Sequence, residues 1–475
     1  MQKTLDQITE KNITDNSTKV TEGDVFVAVK GTKTDGHQYI SQVLEKGASI
    51  IIIDKDQEAN TKQLTTQYIA VQDTREALAY LASKRFILPE NIAAVTGTDG
   101  KTSTAFFYKE LLSAMHKKAA AIGTMGVLSN TNTEYFKKHN IITTPGTLEL
   151  YKILSELKSF EVNNICLEAS SHGIIQKRLD FIPIKAAAFT SFGRDHLDYH
   201  KDINDYLNAK LRLFNHLLPS NGTAVINQDM QISDRVIESC GKKEVLTYGL
   251  NGKFIKIESI QYNNTKMSAT LAIRGKTHKI HCNLFGDFQI QNLSCALALV
   301  HATGHSYEEA IDQIHHISSV PGRMQRVANF NIFIDYAHNP DALKKALSIL
   351  RYGISNKNGK AIVVFGCGGD RDKGKRSVMG EMADQLSDMV IITDDNPRTE
   401  DPSKIRQTIK DHCKKGIVIA GRDNAIEYAI KNMKDGDVLL IAGKGHENYQ
   451  ILADKTIDFD DYKVAEHYAN KQLKN

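Results

Sequence analysis

The stretch Ile92-Ala93-Ala94-Val95-Thr96-Gly97-Thr98-Asp99-Gly100-Lys101-Thr102-Ser103 constrains the fold more than any other. Its apolar start reads as a buried strand and its two glycines as a tight turn. From Thr102 onward it reads as a helix, because Ala105, Phe106, Leu111 and Leu112 recur along one side. Such a turn presents successive backbone N–H groups to phosphate. Gly97 and Gly100 let the chain double back, Lys101 supplies a point charge for the outer phosphates, and Thr102 puts a hydroxyl where magnesium can sit. The general pattern wants a glycine where this chain has Val95, so the match is to the segment Gly-Thr-x-Gly-Lys-Thr. A glycine turn before a helix can be purely structural; the Lys-Thr pair after an apolar strand favours phosphate binding.

A chain of 475 residues holds about three domains, each with ample core. Hydrophobic residues at 41% and charged residues at 24% are ordinary for a globular protein. The net charge of +4 is small against 60 basic and 56 acidic side chains, and no basic tract with interleaved aromatics points to nucleic acid. A nucleotide partner is therefore expected to be a small molecule. The N-terminus lacks an apolar signal core and no window approaches the roughly 18 apolar residues of a membrane span, so a cytoplasmic location is expected. Six scattered cysteines without Cys-x-x-Cys spacing read as reduced thiols.

The expected architecture is α/β throughout, in three domains covering 1–88, 89–320 and 321–475. In the first, residues 25–29 and 50–53 are short apolar strands with a helix over 39–46 between them. In the second, strands at 165–167, 186–190 and 223–226 alternate with helices, which predicts a mostly parallel sheet, and the polar–apolar alternation of 254–282 predicts a small antiparallel sheet. In the third, strands at 332–334, 361–365, 389–393 and 438–442 repeat a doubly wound, Rossmann-like rhythm, each ending in a polar or glycine-rich loop where ligands collect.

Several residues could carry chemistry. Glu168, expected just after a strand, is a natural oxygen ligand for Mg²⁺, although a lone acid there more often caps a helix. Arg194-Asp195-His196-Leu197-Asp198-Tyr199-His200 gathers two acids and two histidines, a density that is costly to bury unless metal or substrate pairs with it. Lys210 lies in a helical surround where a lysine is normally an exposed stem. In the last third, Gly366-Cys367-Gly368-Gly369-Asp370-Arg371-Asp372-Lys373-Gly374-Lys375-Arg376, Asp394-Asp395-Asn396-Pro397-Arg398-Thr399-Glu400 and Gly443-Lys444-Gly445-His446-Glu447 follow three strands. Together they read as one pocket holding both signs of charge, suited to a zwitterion.

With these motifs in order, joined by Thr143-Thr144-Pro145, Ser170-Ser171-His172-Gly173, Pro321-Gly322-Arg323-Met324 and Asp335-Tyr336-Ala337-His338, the chain resembles the Mur ligases over nearly its whole length. The resemblance implies an N-terminal UDP-binding domain, a central P-loop ATPase domain and a C-terminal amino-acid-binding domain. It implies ATP-dependent synthesis of a peptidoglycan precursor: a D-Glu carboxylate of UDP-MurNAc-L-Ala-D-Glu is phosphorylated, and an incoming amine attacks the acyl phosphate. By position, ATP would meet Gly97, Thr98, Asp99, Gly100, Lys101, Thr102, Ser103, Asn292, Arg323 and Asp335. Lys101, Glu168, His196 and Lys210 would be catalytic. Thr102 and Glu168 would hold one Mg²⁺, and His196 with Lys210, as a carbamate, a second. Ser17, Thr143, Thr144, Ser170, Gln176 and Arg178 would face the UDP-sugar peptide.

Members adding meso-diaminopimelate carry Asn-Pro-Arg, present here as Asn396-Pro397-Arg398, where lysine-adding members lack the arginine. The resemblance therefore implies diaminopimelate, its second carboxylate clamped by Arg398 with Arg371 and its ammonium taken by Glu447 near Gly443. A monomer is the family-level expectation. Four positions depart from the pattern: Asp99, Thr18 in Asn16-Ser17-Thr18, Ser191 and Gln289. Three alternatives are a lysine-adding homologue, a folylpolyglutamate synthase-like ligase, which has no reason for Asn-Pro-Arg, and a non-catalytic ATP-binding protein.

Overall fold

Runs of four or five apolar residues between glycine- and acid-rich turns make strands buried on both faces, and three sheets are built this way. The computed structural model describes residues 2–31, 34–61, 67–136, 142–263, 266–354 and 359–472. They divide into two compact units. The first comprises Met1–Ile257, Ala272–Lys276 and Gln291–Gln313; the second comprises Glu258–Leu271, Thr277–Ile290 and Ile314–Asn475.

In the first unit, Ile13–Thr14, Val25–Val27, Ile50–Asp54 and Gln67–Val71 form a four-stranded parallel sheet in that order. Alternate residues serve opposite faces: Val25, Val27, Ile50 and Ile52 pack on the helix Thr74–Arg85, while Phe26, Ile51 and Ile53 pack on Ile40–Glu45. The helix expected over 39–46 is shorter, because Gly36–Tyr39 forms a 3₁₀ turn before it. The strand Gln67–Val71 was not expected; only its last residue is buried, so its sequence lacks the continuous apolar run of its neighbours.

The same unit carries the sheet of the phosphate loop. Its strand Asn91–Thr96 lies between Asn164–Glu168 and Ile184–Phe189, parallel to both. Thr223–Asn227 and Glu244–Gly249 extend it on one side, Ala119–Gly123 and the antiparallel edge Gly126–Ser129 on the other. The strands Ile255–Asn263, Lys266–Ile273 and Lys276–Cys282, most of whose residues belong to the second unit, occupy the span expected for an antiparallel sheet. The two sheets of this unit are tied by Lys177 Nζ, 2.5 Å from Glu76 and 3.0 Å from Asp73, and by the Tyr80 and Phe181 rings, 5.5 Å apart.

In the second unit a six-stranded sheet runs Gln325–Arg326, Ile332–Asp335, Val438–Ala442, Ala361–Phe365, Met389–Ile392 and Gly416–Val418. All its pairings are parallel except the first. Helices Pro340–Ile354, Lys375–Leu386 and Pro402–Lys410 cover one face, Arg422–Asn432 and Asp461–Gln472 the other. All six cysteines are free and buried, and no helix among the described residues is long and apolar enough to cross a membrane.

Candidate active site

The strand Asn91–Thr96 opens into a loop that its glycines make possible. Gly97 has φ 149° and Gly100 φ 87°; a Cβ on Gly97 would lie 2.0 Å from Thr190 Oγ1, and one on Gly100 would lie 2.6 Å from Asn292 Oδ1. Asn292 is thereby placed against the loop. Lys101 begins the helix Lys101–Ala114 and turns its Nζ back to donate to the carbonyls of Gly97 and Thr98, at 2.8 and 2.9 Å.

The loop is braced from the next strand. Thr190 Oγ1 and Ser191 Oγ donate to the Asp99 carbonyl at 2.5 and 3.0 Å, and Asp99 N donates to Ser191 Oγ at 2.8 Å. Thr98 Oγ1 accepts from Gly193 N at 3.0 Å. Ser191, a departure from the family pattern, therefore holds the backbone of Asp99, a second departure.

Thr102 and Glu168 line one small cleft with Gly123 and Met125. Glu168 ends the strand Asn164–Glu168 rather than following it, because it stays in register opposite Val95. Its buried carboxylate accepts from Thr124 N at 2.9 Å and Thr124 Oγ1 at 3.2 Å. A carboxylate and a hydroxyl in one cleft are hard oxygen donors of the kind Mg²⁺ takes.

Lys210 is not an exposed stem. It is 1% exposed, its Nζ donates to the Gly97 carbonyl at 2.8 Å, and it lies 4.4 Å above the Tyr206 ring. Burial, reinforced by the charge of Lys101, holds its ammonium well below the usual lysine range. The neutral amine is thereby favoured over the ammonium.

His196 adopts a left-handed backbone, φ 52°, and its ring packs 4.9 Å from His172 and 6.0 Å from Tyr206. Burial, helped by the nearby charge of Lys101, lowers its pKa. His200 is buried and bonded to Ser171 Oγ at 3.0 Å and Asp205 Oδ2 at 3.3 Å. The acid–histidine stretch is thus split between an open turn and a core contact. Among the described residues no three His, Cys, Asp or Glu side chains converge to hold a metal.

Thr143, Thr144, Ser170, Gln176 and Arg178 come together beside this cleft. Thr143 Oγ1 lies 3.1 Å from Thr124 Oγ1, and Thr144 Oγ1 donates to the Glu168 carbonyl at 2.7 Å. Ser170 Oγ lies 2.9 Å from Thr144 Oγ1 and accepts from Gly173 N at 3.1 Å, capping the helical turn that follows. Arg178 donates to the Thr144 carbonyl at 2.5 Å and to Gln176 Oε1 at 2.6 Å. Ser17 sits apart, on the turn after Ile13–Thr14, its carbonyl accepting from Lys46 Nζ at 2.8 Å.

The second unit carries Arg323 and Asp335. The Arg323 guanidinium stacks 4.5 Å above the Tyr336 ring. Asp335 accepts from Met324 N at 2.7 Å and is pushed up to about 6 by burial, against the opposing pull of Arg323. Gln289, the fourth departure, donates to the Arg323 carbonyl at 2.9 Å.

The three loops at the carboxyl ends of this unit's strands meet. Asn396 Oδ1 accepts from Lys444 Nζ at 3.1 Å and Ile451 N at 2.9 Å, which fixes its amide so that Nδ2 donates to Glu447 at 3.0 Å. Arg398, with φ 51°, donates to the Gly369 carbonyl at 2.9 Å, and a Cβ on Gly368 would meet Arg398 NH1 at 2.9 Å and Arg371 Cγ at 3.8 Å. Both arginines thus flank one glycine. Gly443, φ 116°, faces Asp395, and Pro397 is buried with its carbonyl accepting from Glu400 N at 3.1 Å. Lys444 and Arg376 carry more than membership of these loops: Lys444 is fully buried and 3.0 Å from Glu447, and Arg376 pairs with Glu400 at 2.9 Å and holds that acid down at about 2. Thr124 and Tyr206 were unmarked in the sequence: Thr124 meets Glu168, and the Tyr206 hydroxyl lies 3.3 Å from Thr98 Oγ1, both partners far along the chain.

Comparison with known proteins adds to this geometry. Family profiles described as Mur ligase family, catalytic domain; Mur ligase middle domain; and Mur ligase, glutamate ligase domain match residues 10–86, 95–300 and 322–445. The UDP-N-acetylmuramoyl-L-alanyl-D-glutamate--2,6-diaminopimelate ligase of Rickettsia montanensis is 42% identical over 470 residues, covering 96% of this chain and 95% of its own. That of Rhizobium meliloti (strain 1021) is 41% identical, covering 95% and 92%. A solved structure of a ligase with the same name superposes with a TM-score of 0.71 at 32% identity, covering 97% of this chain and 95% of the other.

Proposed function

We infer that this chain, which belongs to the Mur ligase family and shares its three-domain α/β fold, is the ATP-dependent ligase that joins meso-diaminopimelate to the D-Glu carboxylate of UDP-MurNAc-L-Ala-D-Glu. The observation that carries the choice of amino acid is the pair Arg398 and Arg371 flanking Gly368, beside an Asn396–Glu447 contact. Diaminopimelate differs from lysine by one carboxylate. A guanidinium binds it bidentately, and Glu447 with the fixed Asn396 amide takes the neighbouring ammonium. We place the domain limits at 1–88, 89–320 and 321–475, with the work done in the cytoplasm.

A carboxylate is a poor electrophile, and transfer of the γ-phosphoryl group gives it a leaving group. The N–H groups from Gly97 to Ser103 would cradle the phosphates, and Lys101 would leave its carbonyl partners for their oxygens. Arg178, Gln176, Thr143, Thr144 and Ser170 would orient the acceptor peptide, Ser17 the uridine end. Asn292, Arg323 and Asp335 would serve the nucleotide. Thr102 and Glu168 fit Mg²⁺ by donor type, and a neutral Lys210 fits conversion to a carbamate, which with His196 offers a second site. Bound there, the metal would offset charge on the transferring oxygens.

The test is phosphate release from ATP with UDP-MurNAc-L-Ala-D-Glu and either meso-diaminopimelate or L-lysine. Release with diaminopimelate alone is expected. Release with lysine alone would overturn the role of Arg398, and release with neither would leave an ATP-binding protein without turnover.

A further inference from the structure

The pocket of the second unit stands on two chains leaving strands that are not neighbours. Met389–Ile392 leads to Asp394, Asp395 and Asn396, and Val438–Ala442 leads to Gly443 and Glu447; Ala361–Phe365 lies between the two strands. No ladder hydrogen bond therefore joins the two departing chains. Their spacing decides whether Asn396 reaches Glu447, a 3.0 Å contact.

Further out the two chains are joined by Lys444 to Asn396, by Gln450 to the Asp395 carbonyl and by Arg398 N to the Ile451 carbonyl; at the strand ends themselves Arg422 spans them. Arg422, the first residue of the helix Arg422–Asn432, is 1% exposed. Its NH2 donates to the Ala442 carbonyl at 2.9 Å and its NH1 to the Asp394 carbonyl at 3.3 Å. The same guanidinium is held bidentately by Asp461, fully buried at the start of the last helix, through Nε at 2.7 Å and NH2 at 2.6 Å. A buried ion pair is poor value as a stabiliser, since apolar side chains of similar volume commonly do as well or better. What apolar packing cannot do is donate to two carbonyls at once.

We propose that Arg422, aimed by Asp461, is a positioning residue for amino-acid selection: it sets the distance between the Asn396 and Glu447 loops by holding the Asp394 and Ala442 carbonyls. It touches no substrate. The proposal rests on the amino-acid pocket assigned above, and its test separates the two.

Steady-state kinetics are measured for Arg398→Ala, Arg422→Lys and the charge-balanced pair Arg422→Gln with Asp461→Asn, which leaves no lone buried charge. Both Arg422 variants are expected to raise KM for meso-diaminopimelate by about tenfold or more, because displacements of about 1 Å cost that much or more. KM for ATP and for the UDP-substrate should stay within about twofold, a split that a general loss of fold does not produce. An unchanged KM for diaminopimelate in the double variant, a parallel rise for all three substrates, or failure of both Arg422 variants to fold would overturn the proposal. If Arg398→Ala leaves KM for diaminopimelate unchanged, the pocket assignment itself fails, whatever the Arg422 variants do.

Discussion

Lys210 donates from Nζ to the carbonyl of Gly97 at 2.8 Å, so a buried lysine from a distant helix closes on the first residue of the phosphate loop. Burial and Lys101 both disfavour its charge, which suits the carbamate role proposed for it. Lys210→Ala should cut phosphate release by about a hundredfold or more, in the range seen when a positioned charge is removed from a transition state. Added short-chain carboxylic acids should restore part of it. Unchanged turnover in the variant would end the carbamate reading.

Gly100 tolerates no side chain. Its φ of 87° and the 2.6 Å approach of a would-be Cβ to Asn292 Oδ1 oppose Gly100→Ala twice over. The substitution should cost about 1–3 kcal/mol of stability and weaken ATP binding at least about tenfold. Isothermal titration with ATP and a urea melt read the two effects separately.

Arg398→Ala should raise KM for meso-diaminopimelate by about 10- to 100-fold, the worth of a lost charge-assisted hydrogen bond, and should not raise the KM for lysine. Competition between the two amino acids in one assay measures the change in preference directly.

Asp335 supplies a pH dependence of known sign. Its pKa is raised from 3.8 to about 6 in the folded protein, so between those values the native state binds more protons than the unfolded one. Stability is then lost as pH rises through this window, and the loss is complete above about 6. Asp335→Asn cannot ionise, so its urea midpoint relative to the parent should climb from pH 4 toward pH 6 and level off above about 6. A constant difference across that range would remove the assignment.

The phosphate loop and the three pocket loops were legible because glycine conformation and local charge density are written in adjacent residues. Most of the buried strands were legible because both their faces are apolar, although Ala119–Gly123, buried throughout, was not among those expected. The edges Gln67–Val71, Gly126–Ser129 and Gly416–Val418 were not, since only some of their residues are buried. Lys210 read as an exposed stem because its burial comes from Gly97 and Tyr206, one of them 113 positions away. Ser191 departs from the family pattern, and its part in the loop lies in two bonds to the backbone of Asp99 that adjacent residues do not announce. Arg422 drew no notice in the sequence because its partners lie in three other segments.

The ties of Lys177 to Asp73 and Glu76 fasten the four-stranded sheet and the phosphate-loop sheet into one body. With Ser17 on the first sheet and the Thr102–Glu168 cleft on the second, that body is a ruler with fixed marks. On the proposed reading, in which Ser17 takes the uridine end and the Thr102–Glu168 cleft the phosphates, an acceptor peptide one residue shorter or longer would present its carboxylate away from that cleft.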